Sequence, residues 1–452
     1  MKVYGLEKEE IINSFKKNDI TVAVYGLGKM GLPLAAVFAD KGAKVIGVDI
    51  DPKVVNTING GSCHVVGEPF LKELVEKEVL LGRLRATADL VGAAKESDVM
   101  IIIVPTFLDS DNNPDLSIVE SVCKNISKGL EKGDFVISEC TLPPRTTKEV
   151  ILPILENSGL NRGEFGLAHC PERTSSGRAI EDITGAYPKV VGGIDKKSTE
   201  TAEAIYSVIN KKGVITTDAT TAEAVKVFEG LYRDVNIALA NELARVCMEL
   251  DIDAIEAFEV ANTQPYSHIH KPGCGVGGHC IPIYPYFIIS PLKTNTELLQ
   301  VARKINDEMA LYTVKLAEDG LEKVGMKLED SNLLLLGLTY RGGVKETRKS
   351  PAIAIINILK NKGAMVFAYD PLLQADVEQF GAKYITLENT KDIDAVIIAT
   401  DHKEFKVIDW NKLNLRHKIL IDGRQIINPK KIIEAGYIYK GIGVNYANRG
   451  SA

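Results

Sequence analysis

Cys280 closes a run of unusual composition: His268-Ile269-His270-Lys271-Pro272-Gly273-Cys274-Gly275-Val276-Gly277-Gly278-His279-Cys280-Ile281-Pro282. Gly275, Gly277 and Gly278 allow the backbone to approach a ligand closely. A thiol just after them can attack a bound electrophile. The same residue types admit other readings. His268, His270, Cys274, His279 and Cys280 could ligate a metal, but the C-x2-C or H-x3-H spacing of a structural zinc site is absent, so no metal is expected. Cys274 and Cys280 could form a regulatory disulfide. Cys280 could also be a buried, inert thiol.

A second motif lies near the N-terminus. Gly26-Leu27-Gly28-Lys29-Met30-Gly31 is a GxGxxG that follows a β-branched run and opens a small-residue helix. In a dinucleotide fingerprint the three glycines supply a tight turn, room for pyrophosphate and close helix–sheet packing. The helix N-terminus offers free N–H groups to the phosphates. Asp49 ends the next strand at about the distance past Gly31, roughly 20 residues, expected of the ribose-binding acid. An acid there favours NAD over NADP, because it repels a 2′-phosphate. Further along, Lys226 and Arg233 are spaced to share one helical face, with Gly230 one turn after Lys226 and Glu223 about one turn before it. On a plain surface helix these are solvated charges.

The elements that must position these residues follow from apolar periodicity. Strands are predicted at 21–26, 44–50, 99–105 and 135–140, with a helix at 31–42. Such continuous apolar strands between helices indicate a parallel sheet covered on both faces. Residues 1–20 read as an amphipathic helix, with Leu6, Ile11, Ile12 and Phe15 on one face. From about 218 the pattern becomes helical for some thirty residues, with Thr220 or Thr221 available as N-cap. More helix is predicted at 252–262 and 294–324. Strands return at 332–338, 364–370, 395–400 and 418–423. The expected fold is α/β: two doubly wound parallel-sheet domains joined by a central α-helical domain on a long helix. The expected divisions are a 1–20 extension, a 21–217 dinucleotide-binding domain, a 218–325 helical domain carrying the Cys280 loop, and a 326–452 α/β domain.

Composition narrows the classes of function. Of 452 residues, 45% are hydrophobic and 25% charged, which suits a globular protein of several domains. The net charge of −6 argues against coating nucleic acid or an anionic membrane. No apolar stretch approaches the roughly 20 residues of a spanning helix. The first residues, alternating charged and apolar, do not read as a signal peptide. Seven cysteines spread over the chain are not a disulfide scaffold, and a cytoplasmic setting is expected.

Taken together, these residues resemble the UDP-glucose/GDP-mannose dehydrogenase family from about Thr21 to Gly443. The markers are the fingerprint, Val104-Pro105-Thr106, Cys170-Pro171-Glu172-Arg173, Glu223-Ala224-Val225-Lys226, Gly277-Gly278-His279-Cys280 and Tyr369-Asp370-Pro371. The run Arg233-Asp234-Val235-Asn236-Ile237-Ala238 with Asn241-Glu242-Leu243 looks like the family's N-acetylhexosamine branch. The resemblance implies two Rossmann-like domains and a homodimer built on the helical one. It implies a four-electron oxidation of a UDP-sugar C6 alcohol to the carboxylate with NAD, the sugar being a UDP-N-acetylhexosamine such as UDP-N-acetylmannosamine. It implies Cys280 as nucleophile, Lys226 as oxyanion stabiliser, and Glu172 and Thr141 placing the hydrolytic water. Gly26, Gly28, Met30, Gly31, Asp49, Thr106, Thr141 and Arg348 would serve the cofactor. Arg173, Thr174, Lys226, Arg233, Tyr266, Gly277, Tyr340 and Arg341 would serve the nucleotide sugar.

The chain departs from the family pattern where substrate is expected. Gly230 replaces an Asn, Tyr284 an Asp, Tyr266 an Arg that reaches a neighbouring subunit's substrate, and Arg341 a Lys. Lys345-Glu346 replaces an acidic pair near Arg348. These changes leave two alternatives open: a single two-electron oxidation, or nucleotide-sugar binding without catalysis.

Overall fold

The computed structural model describes residues 2–444. The chain forms two compact units. The first runs to Glu229 and includes Tyr286–Leu292; the second is Gly230–Pro285 with the described residues from Lys293 onward.

The first unit is built on strands β1 (Thr21–Tyr25), β2 (Lys44–Val48), β3 (Leu84–Thr87), β4 (Val99–Ile102), β7 (Phe135–Ser138), β8 (Gly166–His169), β9 (Lys189–Gly193) and β10 (Val214–Asp218). A small hairpin, β5 (Phe107–Leu108) and β6 (Pro114–Asp115), stands apart. The eight strands lie in the order β10-β9-β8-β7-β4-β1-β2-β3. Neighbours are parallel throughout, except that β8 and β9 run antiparallel. The continuous apolar runs divide by alternation into two cores, as a sheet covered on both faces requires. Val22, Val24, Val99 and Ile101 face one way, with the helix Gly31–Asp40. Ala23, Tyr25, Met100 and Ile102 face the other. The N-terminal helix is Lys8–Lys17 and buries Ile11, Ser14 and Phe15, with Leu6 just before it.

The predicted strands are observed, each one to three residues shorter at its C-terminal end. Those residues (Gly26, Asp49, Val104, Cys140) belong to the loops at the carboxyl edge of the sheet. Strands β3, β8, β9 and β10 have no counterpart in the sequence reading. Their runs LRAT, GLAH, KVVGG and VITTD are short and broken by glycine, charge or hydroxyl.

The long helix is Ala219–Glu249. Its cap is not Thr220 or Thr221, which are already helical. The Asp218 carboxylate takes that role, accepting the N–H of Thr220 at 2.9 Å and of Thr221 at 3.3 Å. In the second unit this helix packs with Ala254–Ala261 and Glu297–Glu322 through Ala240, Ala244, Phe258, Met309 and Ala317. The second sheet comprises β11 (Asn332–Leu336), β12 (Met365–Tyr369), β13 (Lys383–Tyr384), β14 (Ala395–Ile398), β15 (Ile419–Asp422) and β16 (Ile438–Gly441), in the all-parallel order β13-β12-β11-β14-β15-β16. Leu333 and Leu335 enter one core, Leu334 and Leu336 the other. Among the described residues no helix is long and apolar enough to cross a membrane.

Candidate active site

In the first sheet the strand order reverses between β1 and β4, and open α/β sheets bind ligands at the carboxyl ends of such a pair. The fingerprint sits there. Gly26 has φ +99°, and a β-carbon on it would stand 2.6 Å from the Ile103 carbonyl oxygen. One on Gly31 would stand 1.8 Å from the Gly26 oxygen. These two glycines are required by the fold. Gly28 is different, because nothing lies within 4 Å of its missing β-carbon. Nothing in the described residues requires glycine there, so a β-carbon at Gly28 would stand in open space. Asp49 is half-buried and accepts the Leu27 N–H at 3.0 Å, which fixes its carboxylate beside the loop.

The neighbouring loops are cross-tied. Thr106 donates its hydroxyl to the Thr141 carbonyl at 2.7 Å. The Thr174 hydroxyl meets the Met30 sulfur at 2.8 Å, and the Thr174 N–H donates to the Glu172 carboxylate. Met30, Glu172, Arg173 and Thr174 line one cavity. Arg173 spans its wall, paired with Glu229 at 2.6 Å and lying over the Tyr187 ring. Lys226 is buried to 8% exposure. Glu223, one turn back, is committed elsewhere: it accepts the Arg145 N–H at 2.6 Å and the Thr147 N–H and hydroxyl at 2.7 and 2.6 Å. Burial pushes the Glu223 carboxyl up to about 7.

The second unit holds the cysteine loop. A β-carbon on Gly277 would stand 2.7 Å from Tyr340 Cβ, and one on Gly278 3.1 Å from the Tyr340 ring. The loop therefore lies directly on Tyr340. The Gly278 N–H donates to the Arg348 carbonyl at 2.9 Å, and the Tyr340 N–H to the Glu346 carbonyl at 3.0 Å. A hydrogen bond with Cys280 holds the His279 imidazole above its ordinary value, against its burial. Burial, with the charge of Cys280, raises the Tyr340 phenol. Cys280, His279 and Tyr340 thus form one cluster. Cys274 is separate: fully buried, with its thiol 3.3 Å from the Ala399 carbonyl. All seven cysteines are free, so the Cys274–Cys280 disulfide is not formed. Among the described residues, no three of the chain's His, Cys, Asp and Glu side chains gather as a metal site. Arg341 and Arg233 are exposed, and Tyr266 is 89% exposed.

Family models match in three consecutive stretches. The NAD binding domain of the UDP-glucose/GDP-mannose dehydrogenase family matches residues 20–210, its central domain 220–308 and its UDP binding domain 334–429. The chain belongs to the UDP-glucose/GDP-mannose dehydrogenase family. It is 40% identical over 427 residues to a UDP-N-acetyl-D-mannosamine dehydrogenase of Pyrococcus horikoshii, covering 93% of this chain and 99% of that one. It is 34% identical to an NDP-N-acetyl-D-galactosaminuronic acid dehydrogenase of Ralstonia nicotianae, over 91% of this chain and 97% of the other. The solved UDP-N-acetylmannosamine dehydrogenase of Pyrococcus horikoshii superposes with a TM-score of 0.87 at 39% identity, covering 94% and 99% of the two chains. That of Staphylococcus aureus gives 0.81 at 34% identity, covering 94% and 98%. Members of this family are NAD-dependent nucleotide-sugar dehydrogenases, and so is this chain.

Several residues that the sequence reading left without a role support the loops around these groups. Asn236 donates to the His268 carbonyl at 2.7 Å and accepts the His270 N–H at 2.8 Å. Asn241 accepts the Gly273 N–H at 2.9 Å and donates to Asn306 at 2.9 Å. The two asparagines of the Arg233–Leu243 run thus pin the entry to the cysteine loop. Five apart, they do not share one helix face, so helical periodicity carried no signal for them. Asp370 accepts the N–H groups of Leu338 and Leu372 at 2.7 and 2.9 Å. Burial works upward on it, but bonds from His402 and these amides bring its carboxyl down to about 2. It shapes the turn leading to Tyr340 at the carboxyl end of β11, beside the point where the second sheet reverses order. Glu139 is buried against the cavity, bonded to Lys189 at 2.8 Å and to the Tyr206 hydroxyl. Lys189 also donates to the Pro171 carbonyl at 3.3 Å, supporting the segment that carries Glu172.

Proposed function

We propose that the chain oxidises the C6 alcohol of a UDP-N-acetylhexosamine, such as UDP-N-acetylmannosamine, to the carboxylate. The observation that carries this reading is the setting of Cys280. It lies on a glycine-rich loop against Tyr340, with the His279 imidazole bonded to it. Five of the other cysteines are buried, and Cys63 is half-buried with its thiol on the Val65 carbonyl.

Gly26, Gly28, Met30, Gly31, Asp49, Thr106 and Thr141 would hold NAD, with Arg348 reaching it. Two NAD bound in turn would supply the hydride acceptors for both oxidations, one for alcohol to aldehyde and one for thiohemiacetal to thioester. Between them the Cys280 thiolate adds to the aldehyde carbon, so the aldehyde stays covalently held. Lys226 supplies positive charge to the oxygen that becomes anionic in that addition. Glu172 and Thr141 place the water that cleaves the thioester and frees the thiol. Arg173, Thr174, Arg233, Tyr266, Gly277, Tyr340 and Arg341 would hold the nucleotide sugar. In this division 21–217 binds NAD, 218–325 carries Cys280 and the dimer contact, and 326–452 binds the UDP moiety.

The homodimer reading is supported by Tyr232, Leu239 and Val246, all exposed and seven apart on the long helix, an apolar stripe suited to a second copy. The free thiols suit a cytoplasmic setting.

The test is incubation with NAD and a panel of UDP-N-acetylhexosamines and UDP-hexoses. Two NADH per sugar, lost in Cys280→Ala, is the expected result. One NADH per product, insensitive to Cys280→Ser, replaces the reading with a two-electron oxidation. Binding without turnover across the panel replaces it with a nucleotide-sugar-binding protein.

A further inference from the structure

Two of the residues that depart from the family pattern touch each other. Tyr284 is buried to 5% exposure, and its ring lies on the backbone of the long helix at Gly230. A β-carbon at 230 would stand 2.4 Å from Tyr284 Cδ2 and 3.2 Å from its Cβ and Cγ. No side chain fits there while the ring is in place. Glycine in a helix interior is otherwise unfavourable, so the ring is what the position accommodates. Tyr284 is also tied to the nucleophile: its N–H and that of Ile283 both donate to the Cys280 carbonyl at 3.0 Å, closing one turn between Cys280 and Tyr284.

We propose that Tyr284 is a positioning residue, whose ring, seated in the notch at Gly230, fastens the Cys280 turn to the long helix. This inference rests on the proposed role of Cys280. A ring pressed on a helix backbone has one seat. Loss of the ring, or of the notch, lets the Cys280 turn drift, and misplacement of a reacting atom by about 1 Å can cost about 10²-fold in rate.

The experiment is a double-mutant cycle on the full chain, with NADH per sugar, aldehyde trapped by hydroxylamine, kcat, KM and Tm as readouts. Tyr284→Ala is expected to lower kcat by about 10²-fold with KM little changed, and to release aldehyde after one NADH. Tyr284→Phe, which keeps the ring, rescues both. Gly230→Ala releases aldehyde in the Tyr284 background, although alanine is the better helix former, and does nothing further in the Tyr284→Ala background. If Tyr284→Ala does not fold, Tyr284→Leu takes its place. Equal effects of Gly230→Ala in both backgrounds, or two NADH and no trapped aldehyde from the ring-less variant, overturn the clamp while the role of Cys280 stands. A wild type that forms one NADH per sugar overturns both.

Discussion

Glu223 accepts two hydrogen bonds from Thr147, one from its N–H at 2.7 Å and one from its hydroxyl at 2.6 Å. Its other oxygen holds the N–H of Arg145, a residue kept at φ +85°, where non-glycine residues are strained by roughly 1–3 kcal/mol. One carboxylate therefore sets the loop after β7 against the start of the long helix.

That carboxyl titrates at about 7, well above an ordinary Glu, because of its burial. The folded chain thus keeps a proton that the unfolded chain releases near pH 4.5. Through this group, stability is full below about pH 4.5 and falls as pH rises towards 7, by up to roughly 3 kcal/mol at 1.36 per unit. Glu223→Gln is expected to flatten that part of the stability–pH profile. Thermal unfolding of both proteins from pH 4.5 to 8 measures it; parallel profiles count against the assignment.

Gly28 and Gly31 separate ligand demand from fold demand. Gly28→Ala meets open space, so Tm without ligand stays near wild type, while NAD affinity falls by at least about tenfold as the methyl occupies the pyrophosphate's place. Gly31→Ala drives a methyl onto the Gly26 oxygen and lowers Tm whether or not NAD is present. Calorimetric NAD titration beside thermal melts distinguishes the two; identical behaviour sinks the distinction.

Asn241→Leu keeps the volume but strands the Gly273 N–H and the Asn306 oxygen in the interior, at roughly 1–3 kcal/mol for each unmet group. Tm should drop, and kcat should fall as the entry to the cysteine loop loosens. NAD affinity should hold, since the fingerprint belongs to the other unit. A variant with wild-type kcat would show that this pin does not bear on Cys280.

Asp370→Ala removes the acceptor for several backbone amides and for His402 at the turn before Tyr340. The Asp370 carboxyl lies near 2, depressed from 3.8, so its stabilisation is full above about pH 4 and disappears as pH falls towards 2. It amounts to roughly 2 kcal/mol. At neutral pH the variant should lose about that much, and its KM for the nucleotide sugar should rise more than kcat falls. A kcat loss at unchanged KM contradicts the role given to this turn.

Much of this was legible in the sequence for a physical reason. Buried parallel strands are continuous apolar runs, and the two glycine motifs have few other uses. Strands β8, β9 and β10 escaped because pairing with neighbours stabilises them, not their own composition; GLAH and VITTD carry no period. The cap of the long helix escaped because Asp218, Thr220 and Thr221 are all competent caps, and only the hydrogen bonds choose among them. The pairing of Glu139 with Lys189 and the seat of Tyr284 on Gly230 are long-range contacts, and no local spacing encodes them. The departures at 230 and 284 were visible one by one, but their dependence on each other was not.

That dependence sets the order in which the two residues can be exchanged. With a side chain at 230, tyrosine at 284 has nowhere to put its ring. Exchanging the ring first meets no collision at 230, whereas exchanging the glycine first meets the ring at once. The ring, while seated, thus confines position 230 to glycine.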